Sequence, residues 1–429
     1  METIKASANP SGISKWTFTP LDKSCLNMII KGTWLYTSRI EPEILRHSLP
    51  ELLSFYPHLA GRIREEEYIA LNNEGISFVF DERPATGIRE AADDPKAIDR
   101  YAAPLDLKKA KRGEGPLLTV RLTWLRDGSI LSVHCAHVCM DGSSFYTMMQ
   151  NWSKIAGKRP VDAPVLDRSL YPKADRSLDN DEVVETVIQN GWKRVGFSLL
   201  IRHLVNGIKG VNGNRTKAIP ISGEVIAKWK QKSREDTGKT FGTHALLCAR
   251  LAKMSIALSG IEKEEKCTVL SVVDTRGRAG SVPYGFVGNA VSNIPSAEFI
   301  AGANPDTIAQ AVADSLRLLH EPQRFEKFIQ LNLYAMEFKL PFVPFDVQAM
   351  NSKKPTVIYI NNFSRFPMYD IDFGTGRPFR ILPHDLPDAI KIFPSPDGRG
   401  VEVYLSGYLA KYYNRLKNKE EWWRKLENE

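Results

Sequence analysis

The run His137-Val138-Cys139-Met140-Asp141-Gly142 puts an imidazole and a carboxylate into one tight turn. A histidine with an ordinary pKa of ~6.5 is largely neutral at pH 7, so it can take the proton of a hydroxyl or amine as that group attacks an electrophile. Asp141, four residues on, has two readings. It either backs the imidazole as the carboxylate of a triad, or points away from the ring and pairs with an arginine to fix the turn; the second weighs more. Cys135 and Cys139 flank His137 and bring a Cys-His nucleophilic pair into view, although cysteine is also a common small buried residue. His134 lies three residues before His137 and, on strand alternation, faces the opposite side, which suits a structural role. The other histidines singled out, His58, His244, His320 and His384, have no ligand spacing, so no metal site is expected.

Two strands and a helix must hold that turn. Pro116 to Trp124 and Ser129 to Ala136 read as paired strands around Asp127-Gly128, a dipeptide suited to a tight hairpin. Downstream, Phe145, Met148, Met149, Trp152 and Ile155 recur at helical spacing, with Ser143-Ser144 placed to cap the first amides. His137 therefore sits where a strand ends, a common place for reactive groups in α/β enzymes.

At 429 residues the chain exceeds what one core usually serves, so two domains with a cleft are expected. Its hydrophobic content of 43% and charged content of 25% are those of an ordinary globular protein, and no stretch approaches the ~20 apolar residues of a membrane span. The first residues, METIKASANPSGISKW, lack the apolar core of a signal peptide, which points to the cytoplasm. Five scattered cysteines form no disulfide framework and no Cys-x-x-Cys pair. The net charge of +8 is dispersed and no nucleic-acid motif accompanies it; a polyanionic cofactor accounts for it equally well.

The strongest compositional break is the Gly- and Asn-rich stretch 207–216, read as an exposed linker between an N-terminal domain, 1–206, and a C-terminal domain, 217–429. Helices are expected over Leu52 to Ile63, Glu182 to Lys193, Gly196 to Val205, Ser222 to Lys232 and Thr243 to Leu258. Strands are expected over Thr268 to Val273 and Thr356 to Ile360, with a hairpin of Ala389 to Phe393 and Val401 to Ser406 turning through Asp397-Gly398. Both halves are thus mixed α/β.

Read in order, Leu21-Asp22, Tyr56-Pro57-His58-Leu59-Ala60-Gly61-Arg62, Pro116-Leu117-Leu118, the HxxxDG run and Pro164-Val165-Leu166-Asp167-Arg168-Ser169 occupy the first half. Thr240-Phe241, Asp274-Thr275-Arg276-Gly277-Arg278, Gly288-Asn289 and Asp372-Phe373-Gly374-Thr375-Gly376-Arg377-Pro378 follow in the second. In this order the chain resembles the plant-type BAHD acyltransferases, known for HxxxD and DFGWG motifs. HxxxDG alone is a weak signal; joined in register to the other segments it is a specific one. One departure stands out: Thr375 replaces the usual tryptophan.

The resemblance implies two chloramphenicol-acetyltransferase-like domains, mixed β-sheets flanked by helices, with a solvent channel between them and His137 midway along it. The segment around 380–400 is expected to pack with the N-terminal domain. It implies transfer of an acyl group from acyl-coenzyme A, a co-substrate, to a small-molecule alcohol or amine in specialised metabolism. His137 would be the general base, with no covalent intermediate and no permanently bound cofactor. Asp141 would pair with an arginine of the second half, Arg276 or Arg278 being the matching candidates, and Gly142 would support the turn. Asp372, Gly374 and Gly376 would shape a mainly structural loop beside the coenzyme A channel, with Thr375 changing its packing or lining. Asn289 is a candidate channel contact. Arg365, in Phe363-Ser364-Arg365-Phe366-Pro367, matches an arginine that holds a carboxylate in shikimate-specific relatives, although a structural or exposed role is the more common one. A monomer without nucleic-acid or membrane partners is expected. Two alternatives stand: a condensation-type enzyme using a carrier-protein thioester, disfavoured because Ala136 stands where a second histidine is usual, and a non-catalytic ligand-binding relative, for which Thr375 is the only support.

Overall fold

A computed structural model describes residues 1–8, 14–94, 97–175, 177, 180–189, 193–194, 216, 218–280, 282–337, 342–343, 353–382 and 390–428. Contacts divide the chain into two compact units. The first comprises Met1–Tyr171, Ser281–Ala290 and Phe366–His384; the second comprises Pro172–Gly280, Val291–Arg365 and Asp385–Glu429. This differs from a single cut near residue 207, because two later segments fold with the first unit. The expected linker, apart from Thr216, lies outside the described residues, as do the expected helix Gly196 to Val205 and His384. Of the 380–400 segment, Arg380–Leu382 belongs to the first unit and Ile390–Pro394 to the second.

The first unit is built on a six-stranded sheet in the spatial order Glu2–Ile4, Ile76–Arg83, Leu118–Leu125, Gly128–Ala136, Ile29–Tyr36 and Arg380–Leu382. Only the Ile76–Arg83 and Leu118–Leu125 pair is parallel. All nine residues of Gly128–Ala136 are buried, as a strand covered on both faces requires. On one face Trp34 packs against Phe145 and Tyr146 of the helix Gly142–Ala156. On the other, Ile88, Ala91 and Tyr101 cover Leu35, Leu125 and Ile130. The helix Pro42–Phe55 lies beside Gly142–Ala156 and buries Leu45, Leu49, Leu52 and Leu53; Trp152 Nε1 donates to Ser48 Oγ at 2.8 Å to join the two.

Local structure departs from the sequence pattern at three places. The helix expected over Glu182 to Lys193 ends at Gln189, and Lys193–Arg194 pairs as a strand with Phe342–Val343. The helix expected over Leu52 to Ile63 stops at Phe55, because Pro57 disfavours helical backbone at Tyr56; Pro57–Ala60 is a single 3-10 turn and Arg62–Arg64 is a strand. The hairpin turns through Arg126-Asp127, since Gly128 already pairs with Leu125. A Cβ at Gly128 would come within 2.3 Å of the Tyr36 carbonyl, so close backbone approach, and not turn geometry, demands glycine there. Asp127 serves instead as an acceptor for the Ile88 amide at 2.7 Å.

The second unit holds a seven-stranded sheet in the order Ile219–Ile221, Val401–Leu405, Ile390–Pro394, Val357–Asn362, Lys266–Asp274 and Val291–Pro295, with Phe299–Ile300 also paired to Lys266–Asp274. Val357–Asn362 runs parallel to both of its neighbours. The expected hairpin of Ile390–Pro394 and Val401–Leu405 is present. Thr243–Ser259 packs between Gly223–Thr237 and Pro305–Ser315, burying Leu247, Leu251 and Ile308 against Val269, Ile360, Ile392 and Val403. Ser222 caps Gly223–Thr237 by accepting from Val225 N, and Gly238 ends it at a φ of 69°. Trp422 and Trp423 of the last helix are partly buried against this core.

Among the described residues His58 and His134 are buried, and His244 half-buried, away from His137. Burial pulls His134 down to about 3 and His244 to about 4, and pushes His58 well below the ordinary value. The unfolded chain takes up these protons near pH 6.5 while the folded chain refuses them, so this contribution to stability is complete above pH 6.5 and is lost as pH falls toward the folded values. Each histidine should contribute ~1.4 kcal/mol per pH unit over that window. Denaturant unfolding between pH 6.5 and 5, above the carboxylate range, should therefore show a steep fall in stability; a flat profile would show that these imidazoles are already charged in the fold.

Candidate active site

Strand pairing carries Gly128–Ala136 to its last partner, Ile29↔Ala136, and the amide of His137 adds one more bond to the Met28 carbonyl at 2.9 Å. The chain then makes one 3-10 turn, His137–Cys139, before the helix Gly142–Ala156 starts. Asp141 is the N-cap of that helix: one carboxylate oxygen accepts from Ser144 N at 2.9 Å and the other from Ala290 N at 2.9 Å. Its own amide donates to the Gly288 carbonyl at 3.2 Å. The capping role expected of Ser143-Ser144 thus falls to Asp141, with Gly142 opening the helix. The four-residue spacing of His137 and Asp141 is the length of the turn between strand end and helix cap.

Asn289, expected as a channel contact, is fully buried beneath this turn. Its backbone N and Nδ2 donate to Asp22 Oδ1 at 3.0 and 2.9 Å, and Nδ2 also donates to the His137 carbonyl at 2.9 Å. The other oxygen of Asp22 accepts from the amide and hydroxyl of Thr19, at 2.8 and 2.9 Å, and from Arg168 Nη2. The Arg168 guanidinium lies 4.9 Å from the ring centres of both Trp16 and Phe286. Gly288 is required by the same packing: its φ is 134°, and a Cβ would lie 2.0 Å from Arg168 Nη1. Asp22 and Arg168 fall in two of the ordered segments, Leu21-Asp22 and Pro164 to Ser169, and Asp22 closes a capping box with Thr19, but nothing along the chain shows that residues 22, 137, 168 and 289 meet.

His137 is half-buried, and its Nδ1 is buried without a hydrogen-bond partner among the described residues. Burial lowers its pKa; its own carbonyl, Asp141, Cys135 and Asn289 act the other way without cancelling that effect. A neutral imidazole at pH 7 follows. Burial also pushes Cys25 up to about 12 and Cys139 well above the ordinary thiol range, so neither supplies a thiolate nucleophile.

The Asp372 to Gly376 loop belongs to the same unit. Asp372 Oδ1 accepts from the amides of Gly374, Thr375 and Gly376 at 2.8, 3.1 and 2.9 Å, and both glycines adopt φ values near 90°. Phe373 is buried edge-on to Trp152 at 4.8 Å, on the helix that Asp141 caps. Trp34 Nε1 and Tyr36 OH donate to the Met368 and Ile371 carbonyls at 3.1 and 3.0 Å, fixing the approach to the loop. Thr375 is half-buried with no hydrogen-bond partner for its hydroxyl among the described residues, and the loop closes without an indole there.

Arg276, Arg278 and Arg365 lie in the second unit. Arg276 is buried and reaches Asp274 Oδ1 at 2.9 Å, while Arg278 donates to the Asp274 carbonyl at 2.7 Å. Arg365 is exposed. In the same unit His244 is held by Asn362 Nδ2 at 2.9 Å and Ser271 Oγ at 3.2 Å.

Replacing Asp141 with alanine removes a helix cap and orphans the buried Ala290 amide, which should cost about 2–4 kcal/mol. Urea unfolding of Asp141→Ala and Asp141→Asn checks this. Asparagine keeps one acceptor and should lose clearly less than alanine; equal losses would mean the two amide bonds carry little.

Comparison with known proteins matches this architecture. The family model described as the Transferase family matches residues 2–409. Anthranilate N-benzoyltransferase protein 1 of Dianthus caryophyllus is 26% identical over 388 residues, 85% of this chain and 82% of that protein. Vinorine synthase superposes with a TM-score of 0.70 at 19% identity, covering 95% of this chain and 93% of its own. The F. graminearum TRI101 structure complexed with coenzyme A and T-2 mycotoxin gives 0.75 at 16% identity, covering 96% and 99%. With a family match across nearly its whole length, the chain belongs to the Transferase family of BAHD acyltransferases.

Proposed function

We propose that this chain moves an acyl group from acyl-coenzyme A to the hydroxyl or amine of a small molecule, with His137 as general base. The observation that carries this reading is the placement of His137. It is a neutral, half-buried imidazole at a strand end, held by backbone bonds on a turn whose carboxylate accepts from the Ser144 and Ala290 amides. Donor and acceptor classes are supported by the relatives: an anthranilate N-benzoyltransferase, and a TRI101 structure complexed with coenzyme A and T-2 mycotoxin.

The reaction follows from the ring. Nε2 takes the acceptor's proton as its oxygen or nitrogen attacks the thioester carbonyl. The tetrahedral adduct collapses, the C–S bond breaks, and the imidazolium returns its proton to the coenzyme A thiolate. No residue is acylated, in keeping with thiols held protonated beside the base. General-base assistance is worth ~10²–10⁴-fold, with positioning of two substrates supplying more. Asp141, Gly142, Asp372, Gly374 and Gly376 serve as supports of this surface. Substitution at Thr375 leaves the loop's hydrogen bonds intact, which favours an active enzyme over a decayed scaffold. A single chain in the cytoplasm, acting on small molecules without nucleic acid or membrane, is the working form in this reading.

Acceptor-dependent thiol release from acetyl, malonyl, long-chain and aromatic thioesters, offered with pooled alcohols and amines, tests the proposal. His137→Ala should lose about 10²–10⁴-fold in kcat while unfolding like the parent. An undiminished rate in that variant would remove His137 from the chemistry. Because burial lowers the His137 pKa, the acid limb of kcat should lie below pH 6.5; a limb above that value would contradict the assignment.

A further inference from the structure

The side-chain amide of Asn289 has one allowed orientation. Its Nδ2 faces two acceptors, Asp22 Oδ1 and the His137 carbonyl, each at 2.9 Å. Exchanging nitrogen and oxygen would set an acceptor against both, so Oδ1 is fixed on the remaining side. Among the described residues that oxygen is buried with no donor upon it, and His137 Nδ1 is likewise buried without a partner. The two atoms are complementary, since Oδ1 only accepts and Nδ1 can carry a proton. Against the burial that lowers the ring's basicity, four groups favour a proton on it: the His137 carbonyl, the Asp141 carboxylate, Cys135 and the Asn289 side chain.

Resting on His137 as the base, we propose that Asn289 is a positioning residue whose Oδ1 accepts from His137 Nδ1–H, fixing the tautomer that leaves the Nε2 lone pair for the acceptor's proton. Rotation of the imidazole about its side-chain bonds closes the contact, because Asn289 itself is anchored at its backbone and its Nδ2. Asp22 orients the amide, and Arg168 with Thr19 holds Asp22 in turn. A base with its proton on the wrong nitrogen cannot act at Nε2, so the amide controls the fraction of enzyme that is competent.

Nitrogen-15 NMR of histidine-labelled protein, with His137→Gln to assign the signals, reads the tautomer in the unaltered chain. At pH 8 the Nδ1–H form is expected; a predominant Nε2–H form overturns the proposal. Asn289→Ala should lower kcat about 10- to 100-fold with KM values changed by less than about threefold. Its acid limb should move to lower pH, because an acceptor favouring the imidazolium is gone. Asp22→Asn, which keeps the shape but loosens the amide, should move kcat and the limb less and in the same directions. A fall in kcat with an unmoved limb and tautomer would make Asn289 a strut only. Full activity in His137→Gln would instead overturn the base assignment, and this inference with it.

Discussion

A buried carboxylate must be met by enough donors, and both Asp22 and Asp141 take some of theirs from one short segment, Asn289–Ala290. That requirement binds residues near 20, 140 and 290 into one unit and sets the height at which His137 leaves its strand. Hydrogen bonds to an ionised acceptor are roughly twice as strong as neutral ones, and removing a donor strands a charge that water cannot reach. The turn bearing His137 is therefore defined by charge satisfaction as much as by strand pairing.

The same logic builds the loop at Asp372, where one carboxylate oxygen gathers three amides and two glycines take the left-handed backbone that permits it. Phe373 then locks this loop onto Trp152, within the helix whose first turn Asp141 caps. Turn and loop thus share one rigid helix. Around the imidazole, burial keeps it neutral while its own carbonyl, Asp141, Cys135 and Asn289 limit how far its basicity falls. A general base needs both properties, since one too acidic cannot hold the proton it removes.

Much of the fold near the site was legible because its signals are local. Alternation marked the strands before His137, helical spacing marked Phe145 to Ile155, and Asp397-Gly398 marked the hairpin of the second unit. Errors arose where a residue's reason lies far away in sequence. Gly128 looks like a turn residue, yet the Tyr36 carbonyl requires it. The apolar run after Leu52 looks helical, yet Pro57 redirects it into a 3-10 turn. Ser143 and Ser144 look like caps, but Asp141 occupies that place because it also answers the Ala290 amide. His137 could be picked out from its own turn, whereas the duties of Asp22, Arg168 and Asn289 could not, because no pattern along the chain records a meeting of residues up to 267 positions apart.

The central claim is direct transfer assisted by His137, and intact-protein mass measured by rapid quench tests it most directly. The protein is mixed with a preferred acyl-coenzyme A, first alone and then with acceptor. Direct transfer leaves the protein mass unmodified throughout, with little thiol before the acceptor arrives and one thiol released per acylated product afterwards. An acylated protein formed without acceptor, and consumed when acceptor is added, would contradict it.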